Sequence, residues 1–358
     1  MLRLYRKPNK GLMGVDISST SVKVLELSVK SGRYWVESYA LIPLSENSVV
    51  EKNILNPEAV GDSLERAINL ANTQSSNAAF AIPTSMVITK VIEMDADMTS
   101  DEREVQIRMD AEQYIPFPLD EVSLDFEVLG PNAADPTRND VLICAARSQS
   151  IASAVSVFND SDLSVKVVDV GMHALTRAVV SLEKSLQTAD ANKFCAIVDI
   201  GELSLSFGII FQGELIYSRL QDFGGASLTR SLATFYNLRP EEAENMKLKG
   251  ALSSYTDVDV VNSYINQLTQ HIKRNIQLFC SSSGHRTVDI LVLSGGGSLI
   301  PGLRQQLALQ LDMDVRHPDP VQLNKQQQAA DNAVHGAKYM TALGLGKVRI
   351  SRSFLPKL

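Results

Sequence analysis

The chain has little of what marks a disulfide-built, membrane-spanning or nucleic-acid-coating protein. Its 358 residues include three cysteines, Cys144, Cys195 and Cys280. They are scattered, lack metal-ligand spacing and cannot all pair with one another, so a reducing compartment fits them best. No run approaches the roughly 18 apolar residues that a membrane helix needs. Residues 1–10 carry Arg3, Arg6, Lys7 and Lys10, but no long apolar region follows, and residues 11–17 are broken by Asp16. The expectation is a chain without a secretory signal, retained in the cytoplasm. An excess of positive charge is also missing: 34 Lys and Arg against 41 Asp and Glu give −7. Nucleic acid is therefore not expected as the main partner, because phosphate backbones call for a basic face. The five histidines, His173, His271, His285, His317 and His335, are dispersed, and none is assigned a catalytic role.

What is present is ordinary for a folded protein: 44% hydrophobic and 21% charged residues, in a length that suggests two domains or a few subdomains. Residues 12–17 form a short apolar run ending at an aspartate. Residues 22–29 and 34–41 then alternate apolar and polar positions around Lys30-Ser31-Gly32, the pattern of a hairpin. Residues 57–74 show helical spacing at Val60, Leu64, Ile68 and Ala71. Strands are expected at 78–82 and 86–92, split by Pro83. Thr99 and Glu102 make a capping box, predicting a helix to about residue 114 that Ile115-Pro116-Phe117-Pro118 must end. Strands at 122–128, 141–145 and 165–170 and a helix at 152–158 complete the first half.

At residues 194–200 the opening pattern returns. Ala196-Ile197-Val198-Asp199-Ile200 matches Met13-Gly14-Val15-Asp16-Ile17, and each aspartate precedes a loop and an alternating hairpin, the second turning at Gln212-Gly213. Either the chain is internally duplicated, with two similar α/β halves facing each other, or two short patterns coincide by chance. The rest reads as helices at 226–237, 240–249 and 258–279, a buried strand at 288–293, a helix starting near Pro301 and a closing helix at 331–345.

Three segments can carry chemistry. In Gly14-Val15-Asp16-Ile17-Ser18-Ser19-Thr20-Ser21, small and hydroxyl residues after a strand can cradle phosphate oxygens. Asp16 would repel phosphate directly but can hold a hydrated Mg²⁺ that bridges it, and Lys23 either sits near the site or faces solvent. Asp199-Ile200-Gly201 offers a second carboxylate at an equivalent strand end, able to share that ion. Gly295-Gly296-Gly297 after a buried strand permits close backbone approach to a flat ligand. Each has a plain alternative: a Ser/Thr-rich turn, a strand-capping aspartate, a strand-to-helix turn.

The order of these segments resembles the actin, sugar-kinase and heat-shock-chaperone superfamily. Residues 14–21 are similar to its first phosphate loop, 198–206 to its second and 291–303 to its adenosine motif, while Glu244-Asn245-Met246-Lys247 resembles the Glu-x-x-Lys of its FtsA-like branch. Gly224-Gly225 and Leu228-Thr229 match that branch too. Within it the chain is similar over nearly its whole length to the PilM family of type IV pilus platform proteins. The most specific stretches are residues 14–23, Val50-Glu51-Lys52-Asn53-Ile54, residues 112–121 and Asp125-Phe126-Glu127-Val128.

The resemblance implies an α/β, duplicated, actin-like (ribonuclease-H-like) two-lobed fold with a nucleotide cleft and an inserted FtsA-type 1C subdomain. It implies boundaries at 1–84 (first lobe, 1A), 85–164 (the 1C-type insert), 165–192 (return to the first lobe), 193–335 (second lobe, 2A/2B, with the adenosine motif) and 336–358 (C-terminal helix and tail). ATP would lie between the lobes on Gly14, Ser18, Ser19, Thr20, Ser21, Lys23, Gly201, Glu244, Lys247 and Gly295 to Gly297, with Mg²⁺ on Asp16 and Asp199. The cytoplasmic N-terminal tail of PilN would dock between insert and first lobe, with Ile115, Pro116, Phe117, Pro118 and Leu119 shaping the groove. Such a scaffold links the inner-membrane complex to other platform and motor proteins, peripheral to the membrane through its partner; self-association stays open.

One departure matters. The second loop reads Gly201-Glu202-Leu203-Ser204, where the family usually has a threonine at the position of Leu203. Leucine donates no hydrogen bond and Glu202 adds negative charge, so hydrolysis is expected to be slow or absent. Two other readings use the same fold. A small-molecule kinase would need a base, for which Asp169 is the one obvious candidate. An FtsA-like filament former would need a C-terminal amphipathic helix, for which residues 351–358 are too short.

Overall fold

The computed structural model describes residues 12–30, 33–50, 52–132, 134–182, 193–248, 259–284, 287–318 and 336–347. The expectations at 1–11, Ser31-Gly32, Glu51, His285, 331–335 (with His335) and 351–358 lie outside the described residues. In chain order the first half contains β1 (Met13–Ile17), β2 (Ser21–Lys30), β3 (Arg33–Pro43), the short pair β4 (Val49–Val50) and β5 (Asn53–Ile54), α1 (Pro57–Ala71), β6 (Asn77–Ile82), β7 (Val87–Asp95), α2 (Ser100–Asp110), β8 (Val122–Pro131), β9 (Arg138–Arg147), α3 (Ser148–Ser156), β10 (Ser164–Val170) and α4 (Gly171–Leu182). The second half contains β11 (Cys195–Ile200), β12 (Leu205–Phe211), β13 (Glu214–Gln221), α5 (Gly225–Tyr236), α6 (Pro240–Leu248), α7 (Asp259–Ser283), β14 (Ile290–Ser294), α8 (Leu303–Leu311), β15 (Asp314–Arg316) and α9 (Met340–Gly346).

The two halves repeat one sheet. In the first the order is β10-β6-β1-β2-β3, and in the second, read the other way, β15-β14-β11-β12-β13. In each the central strand pairs antiparallel with the next strand and parallel with the neighbour on its other side. Asp16 and Asp199 occupy the same place near the ends of these central strands. The duplication is real at the level of topology.

Each sheet buries one face under its own helices. Val60, Leu64 and Ala67 of α1 close over Val22, Val24 and Phe80, and Leu228, Leu232, Ile265 and Leu268 of α5 and α7 close over Phe207 and Leu293. The opposite faces share a third core in which Met172 and Leu175 of α4 and Met340 and Leu343 of α9 lie with Leu25 and Val36 of one sheet and Ile197 and Val292 of the other. An apolar layer of that kind holds two α/β halves together at about 25 cal/mol per Å² of surface withdrawn from water. Between β6 and β10 sits a separate antiparallel sheet, β7-β9-β8, with α2 packed on it through Ile107. Among the described residues no helix is long and apolar enough to cross a membrane.

Local chemistry explains most element ends. Thr99 accepts from the Glu102 N–H at 3.3 Å while Glu102 accepts from the Thr99 N–H at 2.8 Å, the reciprocal capping box. Gln212 and Gly213 take φ of 52° and 86°, the paired left-handed values of a tight hairpin turn. α1 stops at Ala71 rather than near residue 74 because Asn72 turns left-handed at φ 50° and returns its N–H to Asn69. α4 buries Met172, Ala174, Leu175, Thr176, Ala178 and Val179, while His173, Arg177 and Ser181 recur at four-residue spacing on its less buried side.

Candidate functional site

The first loop is closed by its own hydroxyls. Ser18 donates through its Oγ to the Ser21 carbonyl at 2.9 Å, and the Ser21 N–H donates back to the Ser18 Oγ at 3.2 Å. These bonds give the turn its shape and leave Thr20 exposed at its tip. The strand pairing that puts Asp16 opposite Lys23 in β1 and β2 also brings the Lys23 ammonium 2.8 Å from the Asp16 carboxylate, with only 11% of the lysine side chain exposed. Lys23 is therefore neither solvent-facing nor free: it balances the first of the two proposed metal carboxylates. Gly14 is a packing residue rather than a loop residue. It lies inside β1, where a Cβ would come 1.9 Å from the Ala342 carbonyl of α9.

Asp199, at the corresponding point of β11, has a different setting. Burial pushes its carboxyl above the usual range, the Ser294 hydroxyl opposes that by hydrogen bonding, and the Asp16 charge adds to it. The two carboxylates thus lie within electrostatic reach of each other, with Lys23 and Lys52 as the nearby cations. Among the described residues no cluster of three or more His, Cys, Asp or Glu can hold a metal unaided. Two carboxylates beside phosphate oxygens do suit Mg²⁺, which keeps most of its waters.

The glycine run divides its roles. Gly295 takes φ 81°, and a Cβ there would meet the Ile200 carbonyl at 2.4 Å, so close approach to β11 demands glycine. Gly297 is crowded by the Ile200 side chain, whereas Gly296 has only the Lys338 stem nearby, at 3.8 Å. Gly201 donates its N–H to Ser204 at 2.9 Å and accepts from the Gly225 N–H at 2.9 Å. Glu244 and Lys247 of α6 form an ion pair at 2.7 Å, and Lys247 also reaches Glu202 at 3.2 Å.

Two lysines belong to this setting and were missed in the sequence. Lys52, in the β4–β5 turn, has its pKa lowered by burial and is opposed in this by Asp222 and Asp199. Lys338, just before α9, has its pKa lowered by burial and by Lys23, while Glu244 opposes. Its signal was available: it is the one charged residue in the apolar stretch from Ala337 to Gly346.

Two other expectations meet corrections. Asp169 is no free base: it is ion-paired with Arg177 and accepts from the Val170 N–H at 2.7 Å. Arg177 in turn donates to the Gly344 carbonyl, so the pair ties β10 and α4 to α9. At 115–119, Ile115 is buried in the insert with Ala111, Val122 and Ala145 and is not a groove wall. Phe117 and Leu119 pack partly buried on that cluster, the Arg147 guanidinium lies 4.2 Å above the Phe117 ring, and Pro116 and Pro118 are exposed.

Two like sheets around a shared apolar layer, with paired carboxylates at their central strand ends, define an actin-like, two-lobed fold. The chain superposes on a chain of a PilM-PilN type IV pilus biogenesis complex with a TM-score of 0.79 at 24% identity, over 95% of this chain and 98% of that one. It also matches the ethanolamine utilization protein EutJ from Carboxydothermus hydrogenoformans, with a TM-score of 0.58 at 15% identity over 95% and 90% of the two chains. The family model described as type IV pilus assembly protein PilM matches residues 14–349, and the chain belongs to that family.

Proposed function

We propose that this chain is a nucleotide-loaded scaffold of type IV pilus assembly, binding ATP with Mg²⁺ in its cleft and holding the N-terminal tail of PilN. The observation that carries the nucleotide half is the delivery of Asp16 and Asp199, by equivalent strands, within electrostatic reach of each other. Lys23 and Lys52 act on Asp199 and Lys338 is near enough to act with Lys23, and in this reading the hydroxyls of Ser19 and Thr20 and the backbone of Gly296 add groups suited to phosphate. Leu203, half exposed in the second loop, supplies no donor to a terminal phosphate, so turnover is slow or absent. The PilN half is supported by family membership and by the likeness to the complex. A scaffold of this kind sits at the cytoplasmic face of the inner membrane through its partner and contacts the remaining platform and motor proteins.

Calorimetry on the full chain tests both halves. ATP should bind more tightly with Mg²⁺ than without, and Asp199→Ala should remove that difference while the fold persists. A PilN N-terminal peptide should bind the wild type, and Phe117→Glu should weaken it with ATP affinity unchanged. An Asp199→Ala protein that keeps the Mg²⁺ effect removes the metal role; undiminished peptide affinity in Phe117→Glu removes residues 116–119 from the groove.

A further inference from the structure

Lys247 is enclosed by partners of its own lobe. Its ammonium lies 2.7 Å from Glu244, 3.2 Å from Glu202 and 2.9 Å from the Thr229 hydroxyl, which donates to Glu244 at 2.5 Å. The lysine side chain is 10% exposed. The second loop is fastened to the start of α5 at the same point, because the Ala226 N–H donates to the Glu202 carbonyl at 2.9 Å. A Cβ on Gly225 would stand 3.0 Å from the Glu202 carboxylate and 3.1 Å from the Lys247 ammonium, so the pair lies directly against that backbone. The buried Tyr264 hydroxyl has no hydrogen-bond partner, and Glu202 is the charge that acts on it.

Glu202 and Glu244 share the one lysine between them, beside a loop that is to receive an anion, with Arg230 also acting on Glu202 and Lys338 on Glu244. A lysine already neutralised twice has little attraction left for a phosphate, and a carboxylate next to the loop repels one. We infer that Glu202 sets the nucleotide affinity of this cleft and lowers it, by holding Lys247 inside the second lobe and by opposing ligands in proportion to their negative charge. The inference rests on the nucleotide reading above and goes beyond it: Glu202 makes the cleft discriminate against highly phosphorylated ligands.

The test measures adenosine, ADP and ATP binding, each with Mg²⁺, to the full-length wild type and to Glu202→Gln, with thermal melts of both. Glu202→Gln should tighten ATP about tenfold, about 1.4 kcal/mol, ADP by less and adenosine least. Lys247→Met should cost more affinity in the Glu202→Gln background than in the wild type. Glu202→Ala, read the same way, serves if the glutamine variant melts early. Equal gains for all three ligands, or no gain while the wild type binds measurably, overturn the inference and leave the nucleotide reading standing. No binding by either protein overturns both.

Discussion

β1 and β11 each run at the centre of a five-stranded sheet, carry an aspartate near their end and feed a hairpin, yet the loops that follow are held by different side chains. The first is closed within itself: Ser18 with Ser21, three residues on, and Asp16 with Lys23, seven residues on. The second has the same three-residue backbone bond, Gly201 N–H to the Ser204 carbonyl as in Ser18 to Ser21, and is tied in addition from afar, by Gly225 and Ala226 of α5 and by Lys247 of α6, 45 residues beyond Glu202. A loop made of local contacts takes shape as soon as its hairpin forms. A loop with distant contacts as well depends in addition on the docking of the two helices that supply them. Duplication supplied the same frame and the same short backbone closure twice; the side chains tie one loop to its own hairpin and the other to α5 and α6.

The sharpest contrast lies two residues before the aspartates, where Gly14 stands opposite Ile197 in the repeat. Ile197 fills the apolar layer between the sheets, while Gly14 yields its space to the backbone of α9. Ile197→Ala should destabilise by about 3 kcal/mol through lost burial and a residual cavity. Gly14→Ala should destabilise by about as much, despite adding one methyl, because a carbonyl rather than a flexible side chain must move. Urea denaturation measures both. An unchanged midpoint for Gly14→Ala would show that α9 does not seat on β1 as described.

The aspartates themselves should differ in what they do for stability. Asp16→Asn leaves a nearly buried Lys23 without its counter-charge, and should destabilise by about 2 kcal/mol. Asp16→Asn with Lys23→Met should recover part of that loss, because a pair removed together leaves no orphan. Asp199 has no ammonium paired with it as Asp16 has, and its surroundings push its carboxyl above the usual range. Asp199→Asn should therefore shift stability by less than about 1 kcal/mol or raise it. Equal losses at the two positions would erase the asymmetry between the halves.

Periodicity and punctuation made much of the frame legible. The repeated apolar-run-plus-aspartate, the hairpin turns and the Thr99 box were local signals, and each is realised by contacts within a few residues. α4 was missed although His173, Arg177 and Ser181 recur at helical spacing on its less buried side. The site was harder to read. Its residue types could be picked out, but Lys23 and Lys247 were read as ligand contacts when their nearest partners are carboxylates of the same chain. Asp16 opposite Lys23 is a cross-strand neighbour that the hairpin register makes readable. Glu202 with Lys247 is not, since nothing in the spacing of 45 residues says that α6 folds back onto that loop. Lys52 comes from a turn whose position relative to the cleft only the tertiary structure shows, whereas Lys338 could be picked out as the one charged residue in its apolar stretch.

The smallest effect isolates Glu202 by pH. Burial raises its pKa above 4.5, Glu244 reinforces the shift, and Lys247 and Arg230 oppose it. As pH falls from neutrality the folded chain therefore takes up this proton before the unfolded chain does. More protons are bound in the native state over that window, so the slope of unfolding free energy with pH is negative there. The contribution of Glu202 grows as pH falls through its folded value and is complete below about 4.5, the ordinary glutamate value. Glu202→Gln has no such titration. Asp199, shifted in the same direction, remains in both proteins and cancels in the comparison. Denaturant melts at intervals between pH 7 and 4.5 should show the wild type gaining on the glutamine variant by less than about 1 kcal/mol as acid is added, a size set by partial exposure and by the opposing lysine. A wild type that loses ground instead would mean that Lys247 dominates, holding the Glu202 carboxylate ionised and the second loop closed chiefly by that ion pair.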